Sequence, residues 1–110
     1  MLLEDVPYDI EFADAAIGHL RALKARERAT VVDAIEEQLS HEPLVETRNR
    51  KPLRPNPIAA WELRVGSLRA FYDITLPEAL SVQTSGVVRI MAIGKKVGNV
   101  LRIGGVKIDL

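Results

Sequence analysis

The stretch Trp61-Glu62-Leu63-Arg64-Val65-Gly66-Ser67-Leu68-Arg69-Ala70-Phe71-Tyr72-Asp73-Ile74 reads as two strands joined by a two-residue turn. Apolar residues recur at every second position on both sides of Gly66-Ser67, and a glycine in the first turn position suits a type II′ hairpin. With that loop, Val65 pairs with Leu68, Arg64 with Arg69, Leu63 with Ala70, Glu62 with Phe71 and Trp61 with Tyr72. One face then carries Trp61, Leu63, Val65, Leu68, Ala70, Tyr72 and Ile74, enough to floor a core. The other sets Arg64 directly opposite Arg69. Like charges across a strand pair destabilise it unless an anion lies between them. That face therefore either takes Glu62 and Asp73 as counter-ions or is kept for the negative charge of a ligand.

Outward from the hairpin, the remaining sequence supplies the support. The chain has 110 residues, 47% hydrophobic and 27% charged, which fits a single domain over 1–110 with a real core. It contains no cysteine, which excludes a disulfide framework and a thiolate metal site, and its two histidines, His19 and His41, leave little for zinc. Neither metal nor cofactor is expected. The first residues, Met-Leu-Leu-Glu-Asp-Val-Pro, lack a basic region followed by an apolar run, and no stretch reaches the ~20 apolar residues of a membrane span. A cytoplasmic protein with no membrane partner is the expectation.

The net charge of zero hides a segregation. Residues 1–46 hold eleven Asp and Glu against four Lys and Arg, a net of −7, and residues 47–110 invert this with eleven Lys and Arg against four, a net of +7. A basic half of this kind suits nucleic acid or an acidic partner. The alternative is that the halves neutralise each other in the fold.

Tyr8, Ile10 and Phe12 alternate within residues 6–12 and mark a first strand, with Pro7 at its start or on an edge. Asp14 stands where a helix N-cap belongs. Ala16, Ile17, Leu20 and Leu23 trace the stripe of one helix, and Val31 or Val32, Ile35 and Leu39 that of a second, with a join near Lys24 to Arg28. Arg48 to Pro57 has three prolines in ten residues, so it is an extended surface segment, and its cations Arg48, Arg50, Lys51 and Arg54 form a candidate phosphate track. Thr75 to Gly86 reads as a loop with a short extension at Ser81 to Gln83. Val87 to Ile93, nearly continuous in apolar residues, suits a central strand covered on both faces, ended by Gly94-Lys95-Lys96. A terminal hairpin turns at Gly104-Gly105. The order gives an α+β class: a strand, a two-helix hairpin, then an antiparallel meander with the helices on one face.

Taken together, the strand before a helical pair, Arg-Pro-Asn-Pro (54–57), Trp-Glu-Leu-Arg-Val-Gly (61–66), Leu-Arg-Ala-Phe-Tyr-Asp-Ile (68–74) and Ala-Ile-Gly-Lys-Lys-Val-Gly-Asn (92–99) resemble the RelE/ParE superfamily of bacterial toxins. The resemblance runs from about Tyr8 to Ile103. It implies the toxin half of a type II toxin–antitoxin pair, silenced by a cognate antitoxin. RelE-like members cut messenger RNA on the ribosome without metal, and ParE-like members inhibit DNA gyrase. By the resemblance, Arg69 is the arginine that contacts the scissile phosphate, Lys95 and Lys96 occupy the position of a second cation, and Arg64 matches a further basic position. Glu62 falls where members carry a lysine or a glutamate base. RelE-like enzymes usually place a Tyr after the Lys or Arg pair, and this chain has Val100, Leu101 and Arg102 there.

Cutting RNA through its own 2′-hydroxyl needs a proton acceptor, cations on the phosphate and an acid for the leaving oxygen. Arg69, Lys96 and Glu62 are the catalytic candidates, and Arg64, Lys95, Arg54, Lys51 and Arg50 the phosphate-binding ones. Between two guanidinium groups, Glu62 makes more immediate sense as a counter-ion than as a base. Tyr72 and Trp61 are expected in the core. Arg102 and Lys107 are expected to face each other across the terminal hairpin, a second like-charge pair suited to an anionic partner such as an antitoxin carboxylate. Three readings follow: a RelE-like endoribonuclease acting on translated mRNA, a ParE-like toxin with a protein target, and a decayed toxin fold that only pairs with an antitoxin.

Overall fold

The computed structural model describes residues 6–79 and 83–110. The central hairpin forms in the expected register, with β3 (Trp61–Val65) against β4 (Leu68–Thr75) and Arg64 opposite Arg69. Of the two turn residues only Gly66 has positive φ, +60°, which is the type II′ pattern and the reason a side chain is absent there. The other elements are β1 (Asp9–Phe12), α1 (Asp14–Ala22), α2 (Ala25–Leu39), β2 (Arg50–Pro52), β5 (Val87–Val97), β6 (Val100–Ile103) and β7 (Val106–Ile108).

They build one seven-stranded sheet in the order β2-β3-β4-β5-β6-β7, antiparallel throughout. The exception is β1, which pairs with β5 in parallel. β5 is long enough for two neighbours on the same edge: β1 takes Val87 to Ile90, and β6 takes Gly94 to Val97. The gap between them is closed by side elements, since Ala13 N–H donates to the Ile90 carbonyl at 2.9 Å and Ile93 N–H donates to His19 Nδ1 at 3.2 Å. His19 is thus a structural acceptor.

Both helices lie on one face, as expected for the α+β class. Ala16, Val31, Ile35 and Leu39 are buried against Leu63, Leu68, Ala70, Tyr72, Val88, Ile90 and Ile93. Burial of such side chains supplies about 1.5–3 kcal/mol each. Trp61 stacks on Tyr72 with ring centroids 6.0 Å apart, and Tyr72 Oη donates to the Pro43 carbonyl at 2.8 Å. Both aromatics belong to this core. The opposite face has a smaller cluster of Ala59, Phe71, Ala92, Leu101 and Ile103, over which Leu53 and Ile58 of the proline-rich segment pack.

Several details depart from the sequence expectations. The N-cap of α1 is Ala13, with Asp14 its first helical residue, where a carboxylate still suits the positive end of the helix dipole. Ile17 is exposed instead of in the stripe. The helices break at Leu23 and Lys24, where Glu27 accepts from the Lys24 N–H at 3.4 Å. Thr75 belongs to β4, and the extension expected at Ser81 to Gln83 falls on residues 81 and 82, outside the described ones. The proline-rich segment contains a strand, β2, on the sheet edge where proline is tolerated. No helix among the described residues is long and apolar enough to cross a membrane.

Candidate phosphate-binding site

Strand alternation builds the site. Glu62 and Arg64 of β3 and Arg69 of β4 project from the face opposite the helices, because their neighbours Leu63, Leu68 and Ala70 are buried beneath α1 and α2. Lys51 of β2 is registered against Glu62 and joins them. Lys96 reaches the same face through an irregularity. Phe71 pairs with Ala92 but Tyr72 with Ile90, so Met91 is an extra residue in β5. A bulge of one residue reverses the alternation beyond it. Ile90 and Ile93 can therefore both face the helices, Lys95 follows Ile93, and Lys96 turns to the other side.

That side holds a cleft of about 330 Å³ lined by Lys51, Glu62, Arg64, Lys96, Asn99 and Asp109, with Leu53, Leu101 and Ile108 as apolar walls. Glu62, 9% exposed, accepts from Arg64 Nε at 2.9 Å and lies 4.0 Å from Arg69 Nε. One carboxylate thus sits between two guanidinium groups and orients both. Arg69 is further fixed by its Nη1, which donates to the carbonyls of Gly66 at 2.6 Å and Leu68 at 2.9 Å. Burial pulls the Arg69 pKa down from its ordinary value, with Arg64 adding to this and Glu62 opposing it, and a guanidinium stays charged regardless. Arg69 pairs with Gly94 across β4 and β5. A Cβ at Gly94 would lie 3.0 Å from Ile103 Cγ1 and from the Arg102 carbonyl, so this glycine lets β6 come close instead of ending β5.

The sequence-predicted residues divide accordingly. Arg69, Arg64, Glu62, Lys96 and Lys51 come together. Lys95 does not: it lies on the helix side, paired with Glu27 at 2.6 Å, and the Lys95 ammonium holds that carboxyl below the usual range. Arg50 leaves the expected phosphate track altogether. It is 8% exposed, and its guanidinium donates to the carbonyls of Gln38 at 2.6 Å and Val45 at 3.1 Å, with Glu42 at 3.7 Å. It binds the end of α2 to the sheet. Arg54 lies in a separate loop, whose shape is set by Asn56 accepting from Ile58 and Ala59 N–H. Asp73, expected as a counter-ion to the arginines, instead accepts from Ala60 N–H at 2.7 Å. Asp109 and Asn99 line the cleft without having been singled out in the sequence; Asn99 follows Gly98 as a readable turn, whereas nothing local marks Asp109.

The segregated charges also meet in part. Glu11 with Arg89, Glu27 with Lys95 and Glu42 with Arg50 join the acidic half to the basic half. Arg64 and Arg69 share Glu62 instead, and Lys51 and Lys96 line the cleft beside it, with Asp109 as a second carboxylate.

The chain is similar to a chain in the crystal structure of the toxin–antitoxin complex RelBE2 from Mycobacterium tuberculosis, with a TM-score of 0.64 and 29% identity over 84% of this chain and 94% of that one. It matches no family model and no curated protein.

Proposed function

From the premise that the chain belongs to the RelE/ParE superfamily, we propose that it is the toxin of a type II toxin–antitoxin pair and a RelE-like, metal-independent endoribonuclease acting on translated mRNA in the cytoplasm. Its partners under this reading are a cognate antitoxin, the ribosome and the message. The observation that carries it is the meeting of Arg64 and Lys96 in one cleft with Glu62, the carboxylate that also lies 4.0 Å from Arg69.

Two guanidinium groups facing each other can take the non-bridging oxygens of a phosphodiester, each with planar donors matched to phosphate. In the displacement the 2′-oxygen bonds to phosphorus, the 5′-oxygen leaves, and charge grows on the phosphoryl oxygens. Arg64 and Arg69 stabilise that charge in place, and removing such a preorganised donor costs about 10²–10³ in rate. Lys96 faces the same cleft and donates to the leaving oxygen. For the 2′-hydroxyl proton there are two carboxylates. Glu62 is already held by Arg64, which makes it a positioning residue; Asp109 is the freer acceptor in the cleft lining.

A second reading is favoured by one observation: no Tyr or His stands among the described residues lining the cleft. A ParE-like toxin that grips a protein target such as gyrase needs the cationic face but no base. The two readings separate on induced expression without the antitoxin. The nuclease produces cuts within translated messages that vanish when translation is blocked, and Arg69→Ala relieves the growth arrest. Intact mRNA with a DNA-damage response would overturn the nuclease reading in favour of the second, and no growth arrest at all would overturn both.

A further inference from the structure

The turn of the central hairpin places an idle hydroxyl among idle cations. Ser67 is exposed, and its hydroxyl makes no hydrogen bond among the described residues. The Arg69 guanidinium folds back onto this turn: its Nη1 donates to the carbonyls of Gly66 at 2.6 Å and Leu68 at 2.9 Å, the residues on either side of Ser67. The Arg69 Nη2 has no partner among the described residues. From β5, the Lys96 N–H donates to the Ser67 carbonyl at 2.7 Å. That residue therefore abuts the turn as well, and its ammonium enters no ion pair among the described residues. Arg64, registered opposite Arg69, brings a third cation.

The carboxylate paired with these cations is Glu62, shared by the two arginines. Three positive charges against that one leave an excess matching the charge of about −1.5 to −2 that a phosphorylated serine carries at pH 7. A dianion on Ser67 would meet donors already aimed at the turn.

We propose that Ser67 is a phosphorylation site whose phosphoryl group closes on Arg64, Arg69 and Lys96 and excludes the RNA phosphate from them. The inference rests on the nuclease reading only in identifying the excluded ligand as RNA. In the transfer, Ser67 Oγ bonds to the γ-phosphorus of a nucleoside triphosphate as the bond to the β,γ-bridging oxygen breaks. The nucleoside diphosphate leaves, and the hydroxyl proton passes to a carboxylate base of the protein kinase that performs the step.

The surroundings suit such an enzyme. Arg64 stands three residues before the acceptor and Arg69 two after it, a charge pattern complementary to an acidic substrate groove. The turn is open to approach, since a Cβ built at Gly66 would meet nothing within 4 Å. Once formed, the monoester is tethered at an effective concentration on the order of millimolar or above, so it outcompetes a dilute RNA phosphate for the same guanidinium donors.

The test compares four forms of the full chain: the parent, a chain with phosphoserine inserted at position 67 during translation, Ser67→Glu and Ser67→Gln. Binding of inorganic phosphate is read by NMR from the amides of Arg64 and Lys96 at low ionic strength. Phosphoserine is expected to weaken it by about tenfold or more, Ser67→Glu by less, and Ser67→Gln leaves it as in the parent. Phosphorus NMR should show the phosphoserine titrating below its ordinary second pKa of about 6, with Arg69→Ala returning it toward that value. Intact-mass spectrometry of the chain isolated from cells that naturally encode it is expected to find one added phosphoryl group, on Ser67. The proposal is overturned if phosphoserine leaves phosphate affinity unchanged, if Ser67→Gln weakens it as much as Ser67→Glu, if the phosphoserine titrates as it does in a free peptide, or if Ser67 is unmodified in those cells. Failure of the nuclease reading shows separately, as intact messages on expression of the unmodified parent, and leaves the phosphate titration to stand or fall alone.

Discussion

Replacing Glu62 by Gln removes one negative charge while keeping the side chain's shape and its ability to accept from Arg64. The carboxylate lies 2.9 Å from Arg64 Nε and 4.0 Å from Arg69 Nε. A hydrogen bond to a charged group contributes about 1.5–3 kcal/mol, but the Arg64 side chain is 41% exposed, which moves its share toward the roughly 0–1 kcal/mol of surface pairs. Arg69, at 12%, is screened less but sits farther away. Together a loss of about 1–2 kcal/mol is expected, or a fall in Tm of about 4–12 °C for a domain of this size. The assay is thermal denaturation at low ionic strength with and without inorganic phosphate. An anion bound between Arg64 and Arg69 takes the place of the lost charge, so phosphate restores part of the loss, and Glu62→Gln binds phosphate more tightly than the parent. Unchanged stability, or phosphate affinity no higher than the parent's, would refute the counter-ion role. So would a drop in RNA cleavage of about 10²–10⁴, the signature of a lost general base.

Arg50→Ala strips two part-buried carbonyls of their donor and is expected to cost about 1–3 kcal/mol in urea denaturation. Tyr72→Phe leaves the Pro43 carbonyl without its partner, a loss of about 1–2 kcal/mol by the same measurement. The pH profile of stability should fall in two stages. Burial lowers the His19 pKa below its ordinary 6.5, so the unfolded chain takes up that proton first. Stability is then complete above about pH 6.5 and declines as pH falls toward the folded-state value. Glu27, lowered by Lys95 from 4.5, gives a second decline only below about pH 4.5. His19→Leu should abolish the first stage and retain the second.

The hairpin was legible residue by residue because alternation and a Gly-Ser turn leave one register that buries the apolar face. The terminal hairpin, with Gly104-Gly105 between apolar pairs, was legible for the same reason. Long-range geometry was not. Gly94 reads locally as a strand stop, yet it is the point where β6 crosses close to β5. Lys95 and Lys96 read as one basic pair, yet strand alternation sends them to opposite faces and the Met91 bulge decides which goes where; an extra residue in a run of Val, Ile, Met and Ala leaves no local mark. Arg50 looks like its neighbours Arg48 and Lys51, and its burial depends on carbonyls at the far end of α2. In the candidate site, the hairpin residues were found because they share one local element. Asp109 was missed because it enters the cleft from the terminal segment after β7.

The central claim is that Arg69 holds the phosphate at which RNA is cut. It is tested most directly by the single-turnover cleavage rate of a message on purified translating ribosomes, comparing the parent chain with Arg69→Ala and Arg69→Lys. The account predicts a fall of about 10²-fold or more for Ala, with partial recovery by Lys. Equal rates for parent and Arg69→Ala, with both folded, would contradict it.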